Sequence, residues 1–452
     1  MSFQQGLSGL NAASKNLDVI GNNIANSGTY GAKASRAEFA DVYAAALNGA
    51  GKNQIGIGTS LQAVAQQFTQ GNISATENPM DMAVNGAGFF QVTDGVSPVR
   101  YTRNGQFKLS RDGFIVNNDN LKLMGYPATD DGIIQPGIAQ PIKLPTAGIP
   151  PKATTKAALE FTLDSRKEPI VASGIKLTDA TTYTNATSMT VYDAKGQDVA
   201  VTFYFQKTGA DSWNVYATAN GEAFDSAGNA VAPDASGNIT QPFTTINFPT
   251  TGGRPDSIGG VSRGQAWTDS GLTPPSPDQG QWPPGWSIPM SIPAVTTSTG
   301  KSTLAIPGIE FDLTQAMENG SNFAVTDLTQ DGYSPGQLTG ISVADNGTIL
   351  ARYSNGQSKP CGQVELANFR NPQGLEAMGG NVWMRTIASG DAVVGVPGDG
   401  NLGDLRSGAL EESNVDLTAE LVNMVTAQRA YQANAQTIKT QDQVMQTIVN
   451  LR

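Results

Sequence analysis

At 452 residues, with a net charge of −11, no histidine and a single cysteine (Cys361), the chain is long enough for two to four domains. An acidic balance disfavours a nucleic-acid partner, whose phosphates need a basic face, and this Cys/His content leaves neither an intrachain disulfide nor a Cys/His zinc site. Only 15% of residues are charged while Gly and Pro are plentiful, so a turn-rich, β-rich middle is expected; no apolar run reaches the length of a membrane span, and no basic-then-apolar leader marks a cleaved secretory signal.

The first predicted element is a helix. Phe3, Leu7, Leu10, Ser14, Leu17, Gly21 and Ile24 fall on a 4-3 spacing, with Ala13 and Ile20 beside them, and Asn22 to Gly28 supplies the stop. Residues 29–69 read as a linker, with a short helix at 38–43 and an extended stretch at 55–69. From Gln70 the texture turns to β. Gly86 to Val92 is strand-like, and Asp94-Gly95, Asn104-Gly105 and Asp112-Gly113 separate short apolar runs, the strongest local signal for hairpins.

A Pro/Gly-rich crossing at 136–151 precedes a second β region. There Val199, Val201, Phe203 and Phe205 alternate with Ala200, Thr202 and Tyr204, marking a half-buried strand, and Trp213, Val215 and Ala217 form its return. Residues 258–293, with Trp267, Trp282 and Trp286, read as a long ordered loop without an assigned role. β texture resumes from 299 to about 386, with turns at Asn346-Gly347 and Asn355-Gly356, and Gly390 to Gly408 reads as a connector. The Asp-rich stretches 327–332 and 398–401 are expected to be ordinary turns, since neither completes a calcium loop with a closing Glu.

The last stretch, Asp416 to Leu451, is the most regular. Leu417, Leu421, Met424, Gln428, Tyr431, Ala435, Ile438, Asp442, Met445 and Val449 keep the 4-3 spacing, and eight of the ten are apolar or aromatic. Asp416 is the natural N-cap, and the helix would run about 50 Å at ~1.5 Å per residue. The charges of both end segments cancel, so the acidity lies in the middle. Two seam-bearing ends predict an α+β fold: long coiled-coil-forming terminal helices, paired N with C, flanking nested antiparallel β domains. The expected division is 1–28 with 413–452 as helical core, 29–69 with 371–412 as connector, 70–146 with 299–370 as β domain, and 147–298 as an inserted outer β domain. Short linkers near 70, 146, 298 and 390 would let those domains tilt. The expected self-assembly interface is Phe3, Leu7, Leu10, Leu17, Ile24, Leu417, Leu421, Met424, Tyr431, Ile438, Met445 and Val449, because an exposed stripe has little purpose in a monomer.

Four stretches also carry a likeness. Leu17 to Ser27 (LDVIGNNIANS), Gly86 to Val92 (GAGFFQV), Asn368 to Leu375 (NFRNPQGL), and Ser413 to Thr418 with Gln428 to Asn434 (SNVDLT, QRAYQAN) occur in this order. The chain resembles the axial rod and hook proteins of the bacterial flagellum, and among them the hook subunits, since rod proteins are shorter and lack so large an insertion. The resemblance implies a subunit of a bendable, tubular helical homopolymer that passes motor torque from rod to filament. It implies contact with the distal rod, the hook–filament junction proteins, the hook cap and the flagellar export apparatus. It implies an extracellular position on the flagellum, reached without signal cleavage. No cofactor, metal, small-molecule substrate or catalytic residue is expected. Glu160, Asp164, Asp193 and Asp198 lie on β elements that nothing in the sequence brings together. A flagellar rod or other axial protein and a secreted β-rich adhesin are the rival readings, and an adhesin would leave the paired terminal seams without a purpose.

Overall fold

The computed structural model describes residues 2–42, 56, 58–129, 132–145, 147–271, 281–296, 300 and 302–450. Three α-helices stand among short strands in these residues: α1 (Ser2–Ala25), α2 (Arg263–Ser270) and α3 (Leu417–Asn450). Both terminal helices form where the 4-3 spacing placed them. α3 begins at the expected cap, since the Asp416 carboxylate accepts from the backbone N–H of Thr418 at 2.9 Å and of Ala419 at 3.2 Å.

The chain divides into two compact units. The first comprises Met1–Thr146, Thr339–Arg352 and Ser358–Arg452, and the second Ala147–Leu338 with Tyr353–Gln357. The second unit therefore runs to Leu338 and does not stop at 298. The reason is strand pairing: Lys156–Asp164 is bonded to Ile306–Asp312, Met317–Asn319 and Ala324–Gln330. The first two pairings are parallel, which corrects the expectation of purely antiparallel domains. A parallel pair needs a long crossover, and the chain between Asp164 and Ile306 supplies it.

The second unit buries its apolar faces against each other. Val199, Val201, Phe203 and Phe205 are all buried on the strand Asp198–Lys207, as the alternation predicts. Phe203 stacks on Phe311 at 4.9 Å, and Phe161 meets Phe205 at 4.6 Å. A smaller cluster holds Ile175, Tyr216, Ala223 and Ile239. The stretch 258–293 is not all loop, since it contains α2 and the strand Ile288–Ile292.

In the first unit the expected connector 371–412 is sheet. Val382–Met384 pairs with Arg100–Thr102, Val393–Gly395 with Leu366–Asn368, Asp404–Ser407 with Met82–Asn85, and Ala409–Glu411 with Ile73–Ala75. Returning strands need partners for their N–H and C=O groups, and those left open by the outgoing arm provide them. Residues 70 and 390 thus lie inside one unit and are not linkers between units, while 146 and 298 lie outside the described residues. The helix expected at 38–43 is instead strand β1 (Ser35–Val42), paired antiparallel with β2 (Gly58–Gln66); Tyr43 is outside the described residues. Pairing with β2 along all of β1 satisfies the backbone groups on its inner side, and that outweighs a weak helical preference.

Two of the quoted motifs meet in this unit's core. Phe89 lies edge-to-face with Phe369 at 6.0 Å and with Trp383 at 5.8 Å, and Phe68 closes the cluster. The strand begins at Phe89 and not at Gly86, because Gly86 and Gly88 have φ of 117° and 132°, a region that excludes most other residues.

Candidate assembly interface

α1 and α3 lie antiparallel in one chain: Gly6 faces Ile438, Gly9 faces Asn434, and Asn23 reaches Glu420 at 3.4 Å. The glycines make the approach possible. A Cβ on Gly6 would sit 3.0 Å from Ile438 Cγ1, and one on Gly9 would sit 2.8 Å from Asn434 Oδ1. The stripe of α1 buried within the chain is Gly6, Ala13, Ile20 and Asn23. This line lies beside the predicted seam and includes its expected neighbours Ala13 and Ile20.

The predicted interface residues fall into two groups. Leu10, Leu17 and Ile24 on α1, and Met424 and Ile438 on α3, are half-buried. Phe3, Leu7, Leu417, Leu421, Tyr431 and Met445 are exposed, Leu421 to 52%. The side chain of Val449 lies outside the described residues. Val422, Val425 and Val444 are exposed too, which widens the uncovered apolar face of α3. Scattered exposed apolar residues are ordinary, but a row of them along one helix marks a surface that something covers. β2 meets α1 where the Thr59 N–H donates to the Ser8 hydroxyl at 3.4 Å, just after the Gln5 amide donates to the Gly56 carbonyl at 2.6 Å, and Phe39, Leu61 and Val64 on the β1–β2 pair are also exposed.

Both helices are rooted in the sheet by side chains that sequence patterning did not single out. Lys33 Nζ lies 2.6 Å from Glu411 Oε1, and Arg103 Nη1 lies 3.2 Å from Glu411 Oε2, all three residues buried. The Gly71 N–H donates to the same carboxylate at 3.0 Å. Burial pushes the Lys33 ammonium below the usual lysine range, opposed by the Glu411 carboxylate, and burial likewise lowers Arg103. The Arg103 guanidinium also sits 5.1 Å over the Phe89 ring.

Two motif asparagines complete the root. Asn23 Oδ1 accepts from the Ser35 N–H and its Nδ2 donates to the Ser35 carbonyl, both at 2.8 Å, so one side chain imitates a strand partner. Asn414 Oδ1 accepts from the Ala34 N–H, and its Nδ2 donates to the Gln67 carbonyl, both at 2.7 Å. The two asparagines hold the inner ends of α1 and α3 to the segment around β1 and β2. The only sequence signal for them is that they fall within the quoted runs. Of the acidic residues weighed for catalysis, Asp164 holds Arg166 at 2.8 Å and Asp193 accepts from the N–H groups of Lys195, Gln197 and Leu304, so both serve local structure.

Family models match four stretches of the chain, and full-length relatives match all of it. Residues 3–33 match the flagella basal body rod protein family, 83–197 the flagellar hook protein FlgE/F/G D1 domain, 162–333 the flagellar basal body protein FlaE D2 domain, and 406–451 the flagellar basal body rod FlgEFG protein C-terminal family. The D2 match falls inside the second unit. The chain is 38% identical to the flagellar hook protein FlgE of Salmonella typhimurium over 454 residues, covering 100% of each chain, and 38% identical to that of Escherichia coli over 455. It is 30% identical to the flagellar hook protein FlgE of Borreliella burgdorferi, covering 100% of this chain and 99% of the relative. The crystal structure of Helicobacter pylori flagellar hook protein FlgE2 aligns at a TM-score of 0.47 with 13% identity, over 75% of this chain and 100% of that one. With full-length relatives aligned from end to end, this chain belongs to the flagellar hook protein family.

Proposed function

We propose that the uncovered faces of α1 and α3 are the surfaces through which copies of this chain polymerise into the hook. The observation that carries this reading is α3 itself: of its described side chains only Ala427 is buried, while Leu417, Leu421, Val422, Val425 and Met445 stand exposed. An amphipathic helix gains most of its stability from packing that face. Neighbouring copies, each offering the same two helices, would cover it as a coiled-coil seam. A contact between different faces of identical subunits does not close on itself and generates a helical tube. Phe3, Leu7, Leu10, Leu17 and Ile24 would act from α1. Leu417, Leu421, Met424, Tyr431, Ile438, Met445 and Val449 would act from α3. The tube would carry torque as part of the extracellular flagellum, with the distal rod, junction and cap proteins at its ends. Subunits would reach it through the flagellar export apparatus without signal cleavage.

The test is electron microscopy of the purified full-length chain and of the double variant Leu421→Asp/Val425→Asp under polymerising conditions. The parent is expected to form tubes and the variant to remain dispersed with unchanged β circular dichroism. Tubes of normal length from the variant would overturn the assignment of this face.

A further inference from the structure

The Trp-rich stretch helps line a cavity within the second unit. Pro283-Pro284-Gly285-Trp286 is a tight turn, with the Trp286 N–H donating to the Pro283 carbonyl at 3.1 Å and Gly285 at φ 76°. A positive-φ residue at the third position is what a type II turn requires, and proline is common at its second. The turn lays the Trp286 ring against Trp282, centroids 4.2 Å apart, and the Trp282 indole N–H is anchored on the Pro255 carbonyl at 3.1 Å. Trp286 is thus braced from behind, and its own indole N–H has no partner among the described residues. It lines a cavity of about 360 Å³.

The opposite wall is a sheet face assembled by register. Lys156 stands opposite Glu310, and Ala158 opposite both Asp312 and Thr329. These alternate with Ala157 and Phe311, which belong to the core. Asp312 Oδ1 accepts from the Thr314 N–H at 2.8 Å, which leaves Oδ2 turned to no partner among the described residues. Among the described residues Glu310 is held by Lys156 at 3.1 Å, and both side chains are solvent-exposed.

We propose that this cavity binds a pyranose ring that carries no acidic group, with one C–H face on Trp286 and hydroxyls on Asp312 and Glu310. A braced indole offers a flat apolar platform with a polar tip. Carboxylates are acceptors without donors, so they suit hydroxyl groups. Glu310, Asp312 and Asp331 line the cavity with Lys156, and Lys152 bridges Asp331 at 2.9 Å, so three carboxylates against two lysines leave a negative balance that disfavours a uronic acid. The volume lies at the small end of the roughly 300–1,000 Å³ typical of ligand sites, enough for one ring. An alkylguanidinium could meet the same groups, and the test separates the two.

Saturation-transfer NMR on the purified full-length chain would compare methyl glucoside, methyl glucuronide and agmatine. Transfer to the ring protons of the glucoside is expected, with the glucuronide about tenfold weaker. Asp312→Asn and Glu310→Ala should each weaken the glucoside about tenfold, the worth of one hydrogen bond to a charged group. Trp286→Ala should abolish transfer and Trp286→Phe should retain it. The two acidic-residue variants leave the indole stack in place and carry the test where Trp286→Ala does not fold. No transfer to the glucoside, transfer indifferent to Asp312→Asn and Glu310→Ala, or tighter binding of agmatine would each overturn the proposal.

Discussion

On the strand Asp198–Lys207, Val199, Val201, Phe203 and Phe205 are buried by their own chain; along α3, Leu417, Leu421, Val425 and Met445 stand in solvent. Charge follows the same division. The second unit holds 10 Lys and Arg against 18 Asp and Glu, so it carries −8 of the −11 and the first unit −3. The inserted unit is built to finish its core alone and to stay solvated. The terminal helices are nearly neutral and keep an apolar face uncovered. The difference teaches that apolar residues are treated differently in separate parts of the chain: those of the strand find their partners within it, and those on the exposed face of α3 find none among the described residues.

That contrast can be broken most severely at the helix root. Glu411→Gln strips the shared carboxylate from Lys33 and Arg103 and leaves two buried cations. A loss of about 3–5 kcal/mol is expected, as for other broken buried pairs. Hydrogen exchange should speed up in Ile73–Ala75 and Ala409–Glu411 and stay unchanged in Asp198–Lys207. Equal acceleration in both would mean that the two units do not unfold separately.

A milder probe is Asn414→Ala, which removes the acceptor for the Ala34 N–H and the donor to Gln67. The expected cost is about 1–3 kcal/mol, read as lost amide protection at 34–42 with the second unit's melting point unmoved. Unchanged protection there would demote Asn414 from anchor to surface contact.

The smallest effect expected is a difference in acid response. Asp331 accepts from the Thr155 and Lys156 N–H groups, the Thr155 hydroxyl and Lys152, and these bonds hold its carboxyl well below the usual range despite partial burial. Its contribution to the second unit is full above the unfolded value of 3.8 and is lost as pH falls towards the lowered folded value. Glu365 in the first unit shows the opposite sign. Burial raises it above 4.5, against hydrogen bonds from Tyr126 and Gln91, so its charge costs stability that returns as pH falls towards 4.5. Glu318 in the second unit is raised in the same direction, by burial, which makes single variants necessary. Thermal melts from pH 2 to 7 should show Asp331→Asn flattening the second unit's acid loss, and Glu365→Gln stabilising the first unit at neutral pH only. An acid limb unchanged in Asp331→Asn would remove Asp331 as its source.

Much of this molecule was legible before any coordinates. Repeats of 4-3 spacing located α1 and α3, Asp416 announced the start of α3, and strict alternation placed the strand through Val199 and Phe205. These signals are local, because one turn or one pleat is enough to express them. The connector failed as a reading because 371–412 contains glycines at turns and strands of three or four residues, too short for any period to register. At the interface, the exposed half of the predicted residues lies on the uncovered face of the helices. The contact inside the chain took a neighbouring line through Gly6, Ala13 and Ile20, since small residues let two helices approach and apolarity alone does not reveal which stripe will do so.

The sequence alone determined the kinds of element, their order and the nearly neutral, seam-bearing ends, since each depends on neighbours within a few residues. Tertiary structure alone decided where the inserted unit ends, which of its strands run parallel, and that Glu411 would bind Lys33 and Arg103 from hundreds of residues away. Such pairings are chosen by competition among many possible partners for the same backbone and charged groups. That competition is settled only when the whole chain is closed.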